Sequence, residues 1–437
     1  MALDAFRNIW RIGDIRRRIL NTILLLAIYR LGSHIPAPGV NIGVLSAYFE
    51  RMSGSVLGLF DLFVGGNLSR ATIFALGIMP YISASIILQI LGATIPYYQR
   101  LSQEGEEGRR KMTQHIRYLT VGIAAFNSIS FAIFLQNLSV NGVPVLPNPS
   151  FFVKFSIVIT MTAGTIFLMW LGELVTENGI GNGVSLLIMF SILARGPAQV
   201  IQLLRSIKAG TLSLIASIIF AVVAVLIIAA VVLVTQAQRR IPVQYAKRVK
   251  GRKIYGGQAT HLPLNVNTAG VIPIIFAQSA LMILPTFAGF FRGQAWADWL
   301  VNIFSPSGFL YNFLFVLLIV VFAYVYTAIV INPQELASNL KKYGGFIPGV
   351  RPGRATAEHI DRVLSRITLP GALFFAFVAI VPIFFAVKWN FPFYFGGTSI
   401  IIVVGVALDT ASQLESHLLM RHYEGFMKTG RIRGRRR

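Results

Sequence analysis

Stretches of about 20 residues with almost no charge alternate along this chain with shorter segments rich in arginine, lysine and glycine. A helix of that length crosses a hydrocarbon core of about 30 Å. Apolar length read against turn signals predicts ten spans, near 19–35, 72–92, 114–136, 152–171, 183–203, 212–234, 269–288, 309–331, 368–387 and 394–413. Lipid offers no partners to free backbone groups, so a span is a helix or part of a closed barrel. The run "SLIASIIFAVVAVLIIAAVVLV" lacks the alternation of a barrel strand. The predicted class is therefore all-α, a polytopic membrane protein of ten transmembrane helices.

Composition agrees. Of 437 residues, 55% are hydrophobic and 13% charged, and the mean hydropathy is +0.68. A soluble domain of this length needs roughly twice that charge to cover its surface. The chain has no cysteine, which removes disulfides, iron–sulfur clusters and a thiol nucleophile. Its six histidines are scattered, so neither a metal nor another cofactor is expected. Residues 1–18 read as a basic amphipathic helix on the membrane surface, with Leu3, Phe6, Ile9 and Trp10 toward lipid.

Basic residues orient the spans. Of the 39 lysines and arginines, 30 fall on the side that holds both termini and the long loops 235–268 and 332–367, against 8 on the other. Positive loops stay inside, so the N-terminus and the basic tail 414–437 are expected in the cytoplasm. The spans divide five and five at the connector 196–211, giving halves 19–203 and 204–413, with no visible internal repeat.

Within the spans, ionisable residues near mid-bilayer are not expected; Arg195 is counted with the outer-side charges. This argues against an ion-coupled carrier. In "GIMPYISASI", Ile78 and Ile82 share a helical face, as do Val184 and Ile188 after the turn "ENGIGNG". Pro80 predicts a bend in span two, tolerated only against protein or water. These isoleucines are either ordinary packing or the lining of a path. The segment "GSVLGLFDLFVGGNLSRA" is too short to cross. Leu57, Leu59, Phe60, Leu62 and Phe63 precede a Gly65-Gly66 pair, so it is either a surface helix or a re-entrant helix able to swing.

Six long motifs carry a resemblance: "SRATIFALGIMPYISASIILQIL", "FLMWLGELVTENGIGNGVSL", "RRIPVQYAKR", "THLPLNVNTAGVIPIIFA", "NPQELASNLKKYGGFIPGVRPG" and "PFYFGGTSIIIVVGVALD". In sequence and order they resemble the bacterial SecY family, channel subunits of the Sec protein-conducting translocon. The resemblance implies two pseudo-symmetric halves hinged at 196–211 and a pore ring of Ile78, Ile82, Val184, Ile188, Ile275 and Ile402, with Val184 where isoleucine is common. It implies a plug near 57–68 that includes Leu59, Phe60, Leu62, Phe63, Gly65 and Gly66. It also implies a lateral gate at Ser83, Ile86, Phe126, Asn127 and Asn267.

The loop "QRRIPVQYAKRVKGRKIYGGQ" carries seven basic residues and no acidic one. A glycine-punctuated tip suggests a hairpin reaching into the cytosol. By resemblance, Arg239, Arg240, Arg248, Lys250, Arg252, Lys253 and Arg351 dock the SecA motor ATPase and the translating ribosome. SecE and SecG subunits, secretory and membrane proteins with signal sequences, and anionic lipids complete the expected partners. The cluster Glu104, Glu106, Glu107 beside Arg109, Arg110 and Lys111 reads as a solvated mixed-charge loop. No nucleotide-binding motif occurs, and no nucleophile–base pair lies in the spans, so an enzyme is not expected. The competing reading is a secondary transporter for a small solute.

Overall fold

A computed structural model describes residues 12–51, 56–210, 212–245, 248–250, 253–255, 259–267, 270–290, 294–305, 308–388 and 396–429. The expected surface-helix residues Leu3, Phe6, Ile9 and Trp10, the loop residue Arg252 and the end of the basic tail lie outside the described residues. Two compact units emerge, one of residues 1–204, 282–302 and 406–437, the other of 205–281 and 303–405.

The first unit opens with α1 (Gly13–Gly32), α2 (Ile42–Arg51), α3 (Val56–Phe63), α4 (Met79–Thr94), α5 (Pro96–Gln103) and α6 (Glu106–Asn137). A two-stranded hairpin, β1 (Ser139–Val140) with β2 (Val143–Pro144), leads to α7 (Phe151–Asn178) and α8 (Gly183–Lys208). The second unit begins in α8 and holds α9 (Leu214–Gln236), then β3 (Gln238–Tyr245), β4 (Arg248–Lys250), β5 (Lys253–Tyr255) and β6 (Ala259–Asn265). After them come α10 (Ile272–Phe290), α11 (Ala295–Ile303), α12 (Phe309–Val330), α13 (Pro333–Lys342), β7 (Gly345–Phe346), α14 (Arg354–Lys388) and α15 (Gly397–Thr429). Of these, α10 and α15 each straddle the division and α11 lies mostly in the first unit.

Each predicted span overlaps a helix. Seven helices among the described residues are long and apolar enough to cross a bilayer, and Met79–Gly92 and Ile272–Pro285 are shorter apolar helices. The tenth, α1, carries Arg16, Arg17, Arg18 and Arg30 near its ends, where such side chains snorkel to an interface. On α9, Leu214, Ile215, Val225 and Leu233 are 60–70% exposed, a surface that suits hydrocarbon and not water.

Span two departs from expectation. Residues 64–78 form successive turns, and the helix begins only at Met79, with Pro80 in its first turn. Proline has no N–H to lose there, so Pro80 starts the helix instead of bending it. The non-helical backbone is tolerated because it is buried and hydrogen-bonded: Ala37 N donates to Ala71 O at 2.7 Å, Ile73 N to Ile35 O at 3.0 Å and Thr72 N to Asn67 O at 3.0 Å. Gly164 on α7 lets the Ile73 carbonyl approach where a β-carbon would collide with it.

The mixed-charge stretch is also helical. Glu106 and Glu107 open α6, where carboxylates favour the positive helix end, and pair with Arg110 at 3.0 Å and Lys111 at 3.1 Å one turn on. The two basic loops fold together. β3 lies between β6 and β7 in an antiparallel sheet, and Ile241, Val243 and Leu264 bury with Ile347, Ile360 and Leu364.

Candidate functional site

In the first unit, the chain after α3 returns against α8 through residues 64–78. Ile78 caps α4 and accepts from Ile82 N at 3.1 Å, so the pair keeps its one-turn spacing although Ile78 itself precedes the helix. Ile78, Ile82 and Ile188 are buried, and Val184 is half-buried. Ile78 and Ile188 line one cavity of about 10 Å³ together with Phe63 and Ser191. Two ring candidates and a plug candidate therefore share one apolar space, which no local pattern in the sequence reveals.

Phe60 and Phe63 are buried on α3, and Leu62 is half-buried; the Leu59 side chain lies outside the described residues. Gly65 and Gly66 adopt φ of 78° and 83°. A β-carbon on Gly65 would stand 2.8 Å from the Ser191 carbonyl oxygen, and one on Gly66 would stand 3.0 Å from Arg195 Nε. Glycine is required here twice, for the left-handed backbone and for the close approach to α8.

A polar network that the sequence reading did not select holds this segment. Asn67 Nδ2 donates to Val64 O at 2.8 Å and to the Tyr29 hydroxyl at 3.1 Å. Ser191 Oγ, 2.6 Å from that hydroxyl, donates to Leu187 O at 2.7 Å. Asp61 is 2% exposed; its Oδ1 accepts from Ser69 N at 2.8 Å and its Oδ2 pairs with Arg195 Nη2 at 2.9 Å. The buried carboxylate comes from α3, between the first two predicted spans, and its half-buried partner Arg195 is the residue counted with the outer-side charges. Arg195 lies within α8, twelve residues and about 18 Å from its start, and faces a carboxylate supplied from another element. Such pairs face the interior of a bundle because lipid cannot solvate them.

Ser83 and Ile86 are buried on α4, whereas on α6 Asn127 is half-buried and Phe126 is 55% exposed. In the second unit, Ile275 is buried on the first turn of α10 and Ile402 on the second turn of α15. Half-buried Asn267 lines a cavity of about 20 Å³ with Ile274, Ala323, Thr327 and Thr368. Of the basic candidates, Arg239 and Arg240 are exposed at the start of β3, and Arg351 is exposed before α14. Arg248, Lys250 and Lys253 fall on the β4–β5 hairpin, whose side chains lie outside the described residues.

These arrangements, a turn-built segment seated on apolar helices and basic loops joined by a sheet, accompany a clear relationship to known proteins. The SecY family model matches residues 72–411. The chain belongs to the SecY family. It is 44% identical over 427 residues to the protein translocase subunit SecY of Aquifex aeolicus, covering 97% of this chain and 99% of that one. Among solved structures, this SecY-family fold is similar to a protein-conducting channel with a TM-score of 0.66 at 18% identity, covering 92% and 93% of the two chains. It is similar also to Sec61 in the canine ribosome–channel complex from the endoplasmic reticulum, with a TM-score of 0.62 at 18% identity and the same coverage.

Proposed function

We propose that this multi-pass membrane protein is the central channel subunit of a bacterial protein translocase, passing unfolded polypeptides across the cell membrane and releasing apolar segments sideways into lipid. The observation that carries the proposal is the cavity shared by Ile78, Ile188 and Phe63. An aliphatic constriction keeps ions out by dewetting and recognises no particular side chain, which suits a substrate of arbitrary sequence. Stiff β-branched residues supply contact without direction. Ile82 and Val184 complete the lining in the first unit, and the same role is proposed for Ile275 and Ile402 in the second. In a small-solute transporter, placed polar groups must face the ligand; here Tyr29, Asn67, Ser191 and Asp61 bond to one another and to backbone.

Residues 57–68 act as the plug. Apolar segments leave through a gate bordered by Ser83, Ile86, Phe126, Asn127 and Asn267, because about 20 apolar residues favour hydrocarbon while one central charge costs about 3 kcal/mol. Neither a nucleotide-binding motif nor catalytic machinery is proposed, so the energy comes from partners: the SecA motor ATPase or a translating ribosome, docked on the exposed basic loops. SecE and SecG are the proposed companion subunits. Both termini lie in the cytoplasm, where the positive loops meet anionic lipid.

Single cysteines at Ile78, Ile188 and Ile402 test the path in a chain that has no cysteine of its own. Each crosslinks to a secretory chain arrested during export; crosslinks at lipid-facing positions alone reject the assignment. Serine at Ile78 and Ile188 wets the constriction and raises ion conductance in planar bilayers, and an unchanged conductance rejects dewetting as the seal.

A further inference from the structure

The ion pair between Asp61 and Arg195 serves neither the apolar lining nor any docking loop. Asp61 has one carboxylate oxygen on the Ser69 amide, which closes the segment on itself, and the other on Arg195, which ties it to α8. The guanidinium lies over Gly66, and Gly65 lies against Ser191 one turn earlier. The contact is therefore directional: it defines where the segment sits and which way it faces. The two charges are unequally buried, with side-chain exposures of 3% for Asp61 and 32% for Arg195.

We infer that Asp61 and Arg195 form an electrostatic latch that seats the plug on α8 and releases it when α8 shifts. This rests on the channel reading above. Ile188 and Arg195 are seven residues apart on one rigid helix and so share a face. A polypeptide that pushes Ile188 aside displaces the arginine from its carboxylate in the same movement. Burying the pair costs desolvation comparable to its attraction, so the latch sets register without welding the plug shut. Once released, both charges recover hydration at a polar surface. Arg195 is in this sense a positioning residue for the plug.

The unequal burial makes the prediction asymmetric. Arg195→Met strands a buried carboxylate and raises the resting open probability of the full-length chain in planar bilayers by about tenfold or more. Asp61→Asn keeps an acceptor for the Ser69 amide and leaves an arginine that reaches water, so its increase stays below about threefold. The double variant, with no stranded charge, falls back to the level of Asp61→Asn. Arg195→Gln serves as the milder substitution should Arg195→Met fail to assemble, and thermal midpoints in detergent verify folding. A double variant as leaky as Arg195→Met, or an Arg195 variant as tight as the native chain, overturns the latch. Deletion of residues 57–66 separates the two ideas. If the deletion leaks while the Arg195 variants do not, the latch alone is wrong; if the deletion leaves resting conductance unchanged, the plug reading is wrong and the latch falls with it.

Discussion

Tyr29 donates its hydroxyl proton to Ser191, 2.6 Å away, and the direction of that bond follows from its neighbours. Ser191 spends its own proton on Leu187 O, so its oxygen accepts; Asn67 donates to the tyrosine oxygen from the other side. Three elements, α1, the segment after α3 and α8, are thereby tied through one phenol. Ring packing reinforces the tie, with Tyr29 stacked on Phe74 at a centroid distance of 5.7 Å.

Tyr29→Phe keeps the stack and removes the hydroxyl. It leaves the Asn67 amide with Val64 O as its remaining partner in this network and lowers stability by about 1–2 kcal/mol, measured by denaturant unfolding in detergent. Tyr29→Leu loses the stacking as well and costs more. Unchanged stability of Tyr29→Phe rejects the hydrogen bonds as a contribution, and equal losses for the two variants reject the ring stack.

Gly65→Ala meets two obstacles, its φ of 78° and the Ser191 carbonyl at 2.8 Å from the new methyl. Gly105 has a similar φ of 74° with nothing near enough to collide. Alanine at Gly105 costs about 1 kcal/mol from backbone strain alone, whereas alanine at Gly65 costs more and unseats the segment. Unfolding free energies of the two variants, compared side by side, isolate the packing contribution.

Pro80→Ala changes little. A proline in the first turn of a helix supplies a preset φ and sacrifices no intrahelical bond, so its removal shifts stability by less than about 1 kcal/mol. A loss of about 3 kcal/mol or more in thermal or denaturant unfolding contradicts this placement.

Arg239→Ala with Arg240→Ala leaves the fold intact, because both side chains are exposed on β3 while Ile241 and Val243 face the buried core. Stability changes by less than about 0.5 kcal/mol. Binding to ribosomes, measured by cosedimentation across a salt series, weakens and becomes less salt-dependent. Unaltered binding excludes these two arginines from the docking surface.

How much of this was legible beforehand differs from element to element. Apolar run lengths and the excess of arginine and lysine between them determine that this is a helical membrane protein with about ten crossings, because the bilayer imposes a length and a backbone rule that any sequence must obey. The long motifs, in order, place the chain in its family. Other features depend on partners brought from elsewhere in the chain. Pro80 reads as a kink until the turns from Val64 to Ile78 find the Ile35 carbonyl and the Ala37 amide to bond with. Gly65 and Gly66 read as a hinge until α8 presses against them, and Asp61 and Arg195 read as unrelated charges until folding brings them within 2.9 Å. Periodicity reports which face a residue occupies on its own helix; only tertiary packing decides what stands opposite, and whether a buried charge finds its counterion there.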